Sequence, residues 1–406
     1  MSPRRCSRDP TMPDERAPLI ALALSGGGAR AMAFHLGCLR ALHDRGILEK
    51  VKVVSTVSGG SVIGAVWAYS DSTFEAFEAQ IISVLRHGLQ WEIAREVFCS
   101  WHGVRIVATL LVSGVASLII AVAMFVLSRA RRWIALPTVR LEGTLATILQ
   151  LLPIWGSLTT AFEAALARTL FGKRRMDEVA RPDVVTIINA CDLRTGTAFR
   201  FGSERSGGWR YGDIVGGVPT VAKAVAASAA FPILLPPLME KFEFEQRGAR
   251  RTDTVSLTDG GVFDNLGVAV LEPGRAHDYA YNHPVTHIIS LNAGGGQFDR
   301  DERHYWWLGR VARSFGAVHR KAQDAVYQRL HKYVEVGELR AFGMVYLGQQ
   351  DNRLPWIPPD LVRREHVKDY PTDFAPMSTK DLELLASRGE QLTHLIVDRY
   401  LADITS

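Results

Sequence analysis

Twice in the first 70 residues a short apolar run stops at a serine and glycine turn and gives way to a helical pattern, and few architectures allow that order. Residues 19–24 are an apolar run ending in Ser25-Gly26-Gly27-Gly28, which reads as a buried strand entering a glycine turn. Residues 29–45 then place Met32, Leu36, Leu39 and Leu42 at helical spacing, with Gly46 as the residue after the helix end. Residues 51–57 repeat the strand, Ser58-Gly59-Gly60-Ser61 the turn, and residues 62–69 begin another helix. Strand, turn, helix, twice over, is the βαβ signature of a mostly parallel sheet with helices on its faces.

The same alternation resumes at residues 184–190, with a second strand at 197–201 and an Ala-rich helix at 218–230 stopped by Phe231-Pro232 and Pro236-Pro237. Residues 254–257 run into Asp259-Gly260-Gly261, and residues 287–291 into Gly294-Gly295-Gly296. Two long helices, 305–333 and 379–400, flank a strand at 344–347.

Between the two α/β parts the rhythm breaks. Residues 106–128 contain no charge, long enough to cross a hydrocarbon core about 30 Å thick. Residues 143–162 form a second uncharged stretch, interrupted by Thr144, Thr147, Gln150 and Pro153. Arg129, Arg131, Arg132 and Arg140 crowd the gap, while Arg105 and Lys173-Arg174-Arg175 flank the pair. The expectation is an apolar hairpin that anchors the protein in a membrane; a monotopic insertion with arginines on anionic headgroups is the alternative, and two buried core helices the bland reading.

With 47% hydrophobic and 22% charged residues over 406 positions, disordered, collagen-like and disulfide-scaffold classes are excluded. Net charge is a mild +5, and no aromatic-interleaved basic face accompanies it, so no nucleic-acid partner is expected. Cys6, Cys38, Cys99 and Cys191 stand far apart with no zinc-ligand spacing, and residues 1–18 have no signal-like apolar core. Neither metal nor cofactor is expected, and the catalytic part is expected to face a reducing, cytoplasmic side.

Three turns carry chemistry. The run at Gly26, Gly27 and Gly28, opening a helix, leaves backbone N–H groups clustered at the positive end of a helix dipole, a nest for a phosphate or a developing oxyanion. As a dinucleotide fingerprint it is incomplete, since Ala31 stands at the third glycine. Ser58, between strand and helix and followed by Gly59 and Gly60, has the setting of a nucleophile elbow; the bland reading is a helix N-cap. Asp259 ends a strand before Gly260 and Gly261, where it could accept a serine proton or merely make a turn with its own backbone. For a histidine-containing triad the candidates are His283 and His287, while His35 reads as a packing residue.

The segments SGGGARA at 25–31, STVSGGS at 55–61, ASAAFPILLPP at 227–237 and TDGGVFDN at 258–265 together resemble the patatin-like phospholipase family. The resemblance implies a three-layer α/β/α core over residues 19–84 and 175–300; the expected membrane-associated helical insertion at 85–174 and the mainly helical part at 301–406 lie outside its motifs. It also implies a Ser58–Asp259 dyad without histidine, an oxyanion hole at Gly26, Gly27, Gly28 and Arg30, and lipid acyl esters as substrates. One residue departs from the family's GxSxG elbow: Thr56 replaces the first glycine. A catalytically degenerate, membrane- or partner-binding protein of the same fold is the rival expectation.

Overall fold

The computed structural model describes residues 18–130, 154–181, 183–232, 234–273, 282–296 and 306–405. Much of the expected arginine-rich gap, residues 143–153 of the second apolar stretch and nearly all of the N-terminal leader lie outside the described residues.

Ten strands form one sheet. In chain order they are β1 (Ile20–Leu24), β2 (Val51–Val57), β3 (Val185–Asp192), β4 (Thr197–Gly202), β5 (Gly207–Gly208), β6 (Gly212–Ile214), β7 (Leu238–Gln246), β8 (Ala249–Asp259), β9 (His287–Asn292) and β10 (Ala341–Tyr346). Strands β10, β9, β1, β2 and β3 pair in parallel. Side chains of β1 alternate between two cores, Ile20, Leu22 and Leu24 on one face and Ala21 and Ala23 on the other. That is why these strands read as unbroken apolar runs: both faces are covered.

The other half of the sheet corrects the sequence reading. From β3 to β8 every pairing is antiparallel, and β8 returns to pair with β3, closing a six-strand barrel. A mostly parallel central sheet is therefore wrong. The physical cause lies in the connections. β7 and β8 are joined by Arg247 and Gly248, both at positive φ (54° and 78°), a two-residue hairpin turn that permits only antiparallel pairing. No crossover helix of the length a parallel return needs separates β3 from β6. Phe199, Phe201, Tyr211, Phe242 and Phe244 pack ring on ring in this half. The strand β7 went unread although its sequence, LMEKFEFEQ, alternates charged residues with Phe242 and Phe244.

The helices follow: α1 (Gly28–Asp44), α2 (Gly59–Ala68), α3 (Phe74–His87), α4 (Gln90–Cys99), α5 (Trp101–Ala130), α6 (Leu158–Leu166), α7 (Val221–Ser228), α8 (Gly261–Asp264), α9 (Trp307–Glu335) and α10 (Thr379–Tyr400). α1 and α10 cross so closely that a Cβ on Gly37 would collide with the Ala386 carbonyl, and one on Gly389 with the Phe34 carbonyl. A helical insertion leaves the core at α5. The window Trp101–Val126 has mean hydropathy 2.6 and only 11% of it is buried, so it is long and apolar enough to cross a membrane. The chain comes back to its own base: the N–H groups of Trp155 and Gly156 donate to Thr109 Oγ1 at 3.0 and 3.2 Å. The end of the second apolar stretch is core, since Phe162 in α6 is fully buried.

Candidate active site

One edge of β3 brings two distant turns together. Val57, the last residue of β2, pairs with Asn189, and where β2 ends β8 takes over the same strand, placing Asp259 opposite Ala190. Ser58 and Asp259 thus follow adjacent rungs, 201 residues apart in sequence.

Ser58 sits at φ 52°, ψ −121°, a conformation that L-residues adopt only under constraint, and its side chain makes no cap bond to α2. The N-cap reading fails on that point; the Ser58 side chain instead lies close enough to the Asp259 carboxyl to lower its pKa. Three bonds hold the strained turn. Ser58 N–H donates to Ser228 Oγ at 3.0 Å, Ser228 Oγ pairs with Ser61 Oγ at 2.9 Å, and Ser228 donates to the Asn189 carbonyl at 2.6 Å. Ser228 lies inside the quoted ASAAFP segment, but nothing in the sequence marked it as the prop of the elbow.

Asp259 is 3% exposed. Burial raises its pKa from the ordinary 3.8 to about 6, against the lowering effect of the bonds from Ser58 and from the Gly261 N–H. The Gly261 N–H reaches Asp259 Oδ1 at 2.7 Å, so the aspartate makes its own turn as well as facing the serine. Gly260 packs on the Asn189 carbonyl, where a side chain would not fit.

The glycine nest lies beside Ser58. Gly27 and Gly28 take φ values of 143° and 55°, open to glycine and costly for other residues. Among the described residues their N–H groups have no partner, whereas Gly26 N–H is already given to the Asn265 carbonyl at 3.1 Å and Ala29 N–H to that of Asp373 at 2.8 Å. Of the three glycines, Gly27 and Gly28 therefore keep unpartnered N–H groups, while that of Gly26 is taken. Gly59, in α2, packs on the Gly28 backbone, and Gly60 on the carbonyls of Leu24 and Ser25. Arg30 Nη1 donates to the Tyr370 carbonyl at 3.0 Å while its Nε is buried without a partner, and burial lowers its pKa to about 10, leaving it cationic at neutral pH.

Thr56 is accommodated. Its Oγ1 donates to the Ile187 carbonyl at 3.3 Å, and its methyl fills the space beside Gly64, where an added Cβ would stand 2.5 Å from Cγ2. A glycine one helical turn into α2 makes room for the residue that replaces the elbow's first glycine.

These groups open onto a cavity of about 460 Å³. Its walls are apolar at Ile93, Phe231, Leu234, Leu235 and Phe374, while α9 supplies His319, Arg320 and Gln323. None of the histidines weighed from sequence reaches it. His35 is buried against the Leu291 carbonyl with its pKa driven down to about 3 by burial, His287 bonds Asp403, and His283 lies near Arg200 and Arg205.

Comparison with known proteins adds the family. The patatin-like phospholipase family model matches residues 22–271. The chain belongs to that family. Membership places it among lipid acyl hydrolases. Among solved structures it is similar to human GIVD cytosolic phospholipase A2 in complex with methyl gamma-linolenyl fluorophosphonate, at 12% identity and TM-score 0.50, covering 96% of this chain and 59% of that one. VipD from Legionella pneumophila is similar at 15% identity and TM-score 0.40, covering 94% of this chain and 67% of that one. No curated protein matches it significantly in sequence.

Proposed function

We propose that this protein is a membrane-anchored serine acyl hydrolase that cleaves fatty-acyl esters of phospholipids or related lipids through Ser58 and Asp259. The observation that carries the reading is the strained Ser58, close to a buried Asp259 and to two unpartnered N–H groups, at the wall of an apolar cavity. Asp259 takes the hydroxyl proton as Ser58 Oγ attacks the ester carbonyl, and the N–H groups of Gly27 and Gly28 hold the resulting oxyanion. The alcohol leaves with the proton returned by Asp259, forming an acyl-serine. A water deprotonated by Asp259 then attacks the acyl carbon, the fatty acid departs and Ser58 recovers its proton.

Anchoring rests on α5. Residues 110–154, about 45 in all, leave Thr109 and return to it, enough for two crossings of about 20 residues each and a turn. An even number of crossings is what a dyad assembled from both sides of the insertion requires. The free thiols Cys38, Cys99 and Cys191 support a catalytic part on the cytoplasmic side.

The test is fluorophosphonate labelling of membrane-fraction protein, wild type beside Ser58→Ala, with fatty-acid release from phospholipid vesicles in parallel. Labelling and release are expected in the wild type, with both lost in the variant by at least about 10³-fold. No labelling of a folded wild type would instead favour the binding-only rival.

A further inference from the structure

The first half of α9 exposes large apolar side chains on one side. Trp307, Val311 and Val318 are 63%, 61% and 70% exposed, and Phe315 is 43% exposed while also lining the cavity. At about 100° per residue these four fall within an arc of about 80° on one face of the helix. The neighbouring arc is basic: Arg310, Arg313 and Lys321 precede the first acid of the helix, Asp324, while Arg320 at its border lines the cavity and donates to the Gly296 carbonyl at 3.4 Å. The third arc, with Gly316, His319 and Gln323, faces the cavity. An apolar face, a cationic flank and a catalytic wall on one helix form an amphipathic, interfacial pattern.

α4 shares the exposed aromatic residues and the cavity wall but not the basic flank, since it carries Glu92 and Glu96. Gln90 and Ile93 line the same cavity, while Trp91 and Phe98 are 72% and 84% exposed, and the chain passes directly into α5 at Trp101.

We propose that the first half of α9, residues 306–321, docks on an anionic lipid surface and forms the lip over which a lipid enters the cavity. The basic arc selects the anionic surface over a neutral one. Phe315, stacked on His319 with ring centroids 5.9 Å apart, joins the lipid-facing arc to the cavity wall. That the entering lipid is a substrate rests on the proposed hydrolysis; the docking does not.

The test uses the full chain carrying Ser58→Ala, so that no turnover is involved, with Cys6→Ser and Cys99→Ser. Val318→Cys is labelled with an environment-sensitive fluorophore and the protein is reconstituted in phosphatidylcholine vesicles with or without phosphatidylglycerol. Expected is several-fold stronger quenching by acyl-chain doxyl lipid at position 318 than at a Glu335→Cys control. That quenching should fall without phosphatidylglycerol and in Arg310→Glu/Arg313→Glu. A label at 318 reached by aqueous iodide but not by doxyl lipid would overturn the docking. Protection from both quenchers would overturn it in favour of a second copy or another protein covering this face. Equal quenching with and without phosphatidylglycerol would overturn the anionic preference. Because no step reads hydrolysis, failure here is separate from failure of the fluorophosphonate test.

Discussion

In the proposed mechanism Asp259 joins function to stability at a single residue. Its carboxyl has a folded pKa of about 6 against an ordinary 3.8, because burial penalises the charge. A raised carboxyl pKa means that the folded state holds the proton more tightly, so this group's contribution is most favourable below the ordinary value and is lost as pH rises through 4 to 6. Above pH 6 the ionised form costs on the order of 3 kcal/mol. Asp259→Asn should accordingly be more stable than wild type at pH 8, with the gap closing towards pH 4.5 in thermal unfolding scans. A gap independent of pH would remove the desolvated carboxylate from the account. Since the base must be ionised to work, wild-type kcat/KM should fall about tenfold per unit below pH 6. Strain at Ser58 accompanies it: the backbone holds φ 52° and the side chain makes no cap bond to α2.

α10 shows how an element outside the motifs holds the site. Arg388 is fully buried and donates to the carbonyls of Leu347, Val362 and Gln349 at 2.8, 2.5 and 2.7 Å, with Asp351 at 3.0 Å. It ties α10 to the end of β10 and to the segment beyond it. Arg388→Met should cost about 3–5 kcal/mol, since it strands three carbonyls and a carboxylate. Differential scanning fluorimetry in detergent measures it, and a loss below about 1 kcal/mol would show that water replaces the guanidinium. Both α1 and α10 were legible as elements from helical spacing, but their contact was not. Gly37 and Gly389, which by propensity alone weaken a helix, each lie against the other helix's backbone.

For the whole molecule, the proposed anchoring rests on the apolar insertion. α5 presents Leu110, Leu111, Leu118 and Ile119 at 67%, 63%, 65% and 63% exposure, a surface that water tolerates poorly over so many turns. Wild type should stay with the pellet on alkaline carbonate extraction. Leu110→Arg/Leu118→Arg, each charge costing about 2.5–3.5 kcal/mol at a helix centre, should move to the supernatant with Ser58 labelling retained. Equal partitioning of the two proteins would remove α5 from the bilayer.

Local chemistry is what a sequence writes plainly. The strand–glycine–helix junctions at Ser25 and Ser58, the DGG turn at Asp259 and the uncharged run of α5 are each encoded in contiguous residues, because turn conformation, helix spacing and hydropathy act over a few positions. Closure of β3 through β8 into a barrel, the prop from Ser228, the use of Gly26 N–H by Asn265, the berth of Thr56 beside Gly64 and the cavity wall from α9 are not local. Each depends on which distant strand or helix arrives at a given edge, and hydrogen-bond partners and steric room exist only once that arrival is made. Tertiary structure alone therefore decided that half the sheet is antiparallel, and that two N–H groups of the glycine nest remain unpartnered beside Ser58.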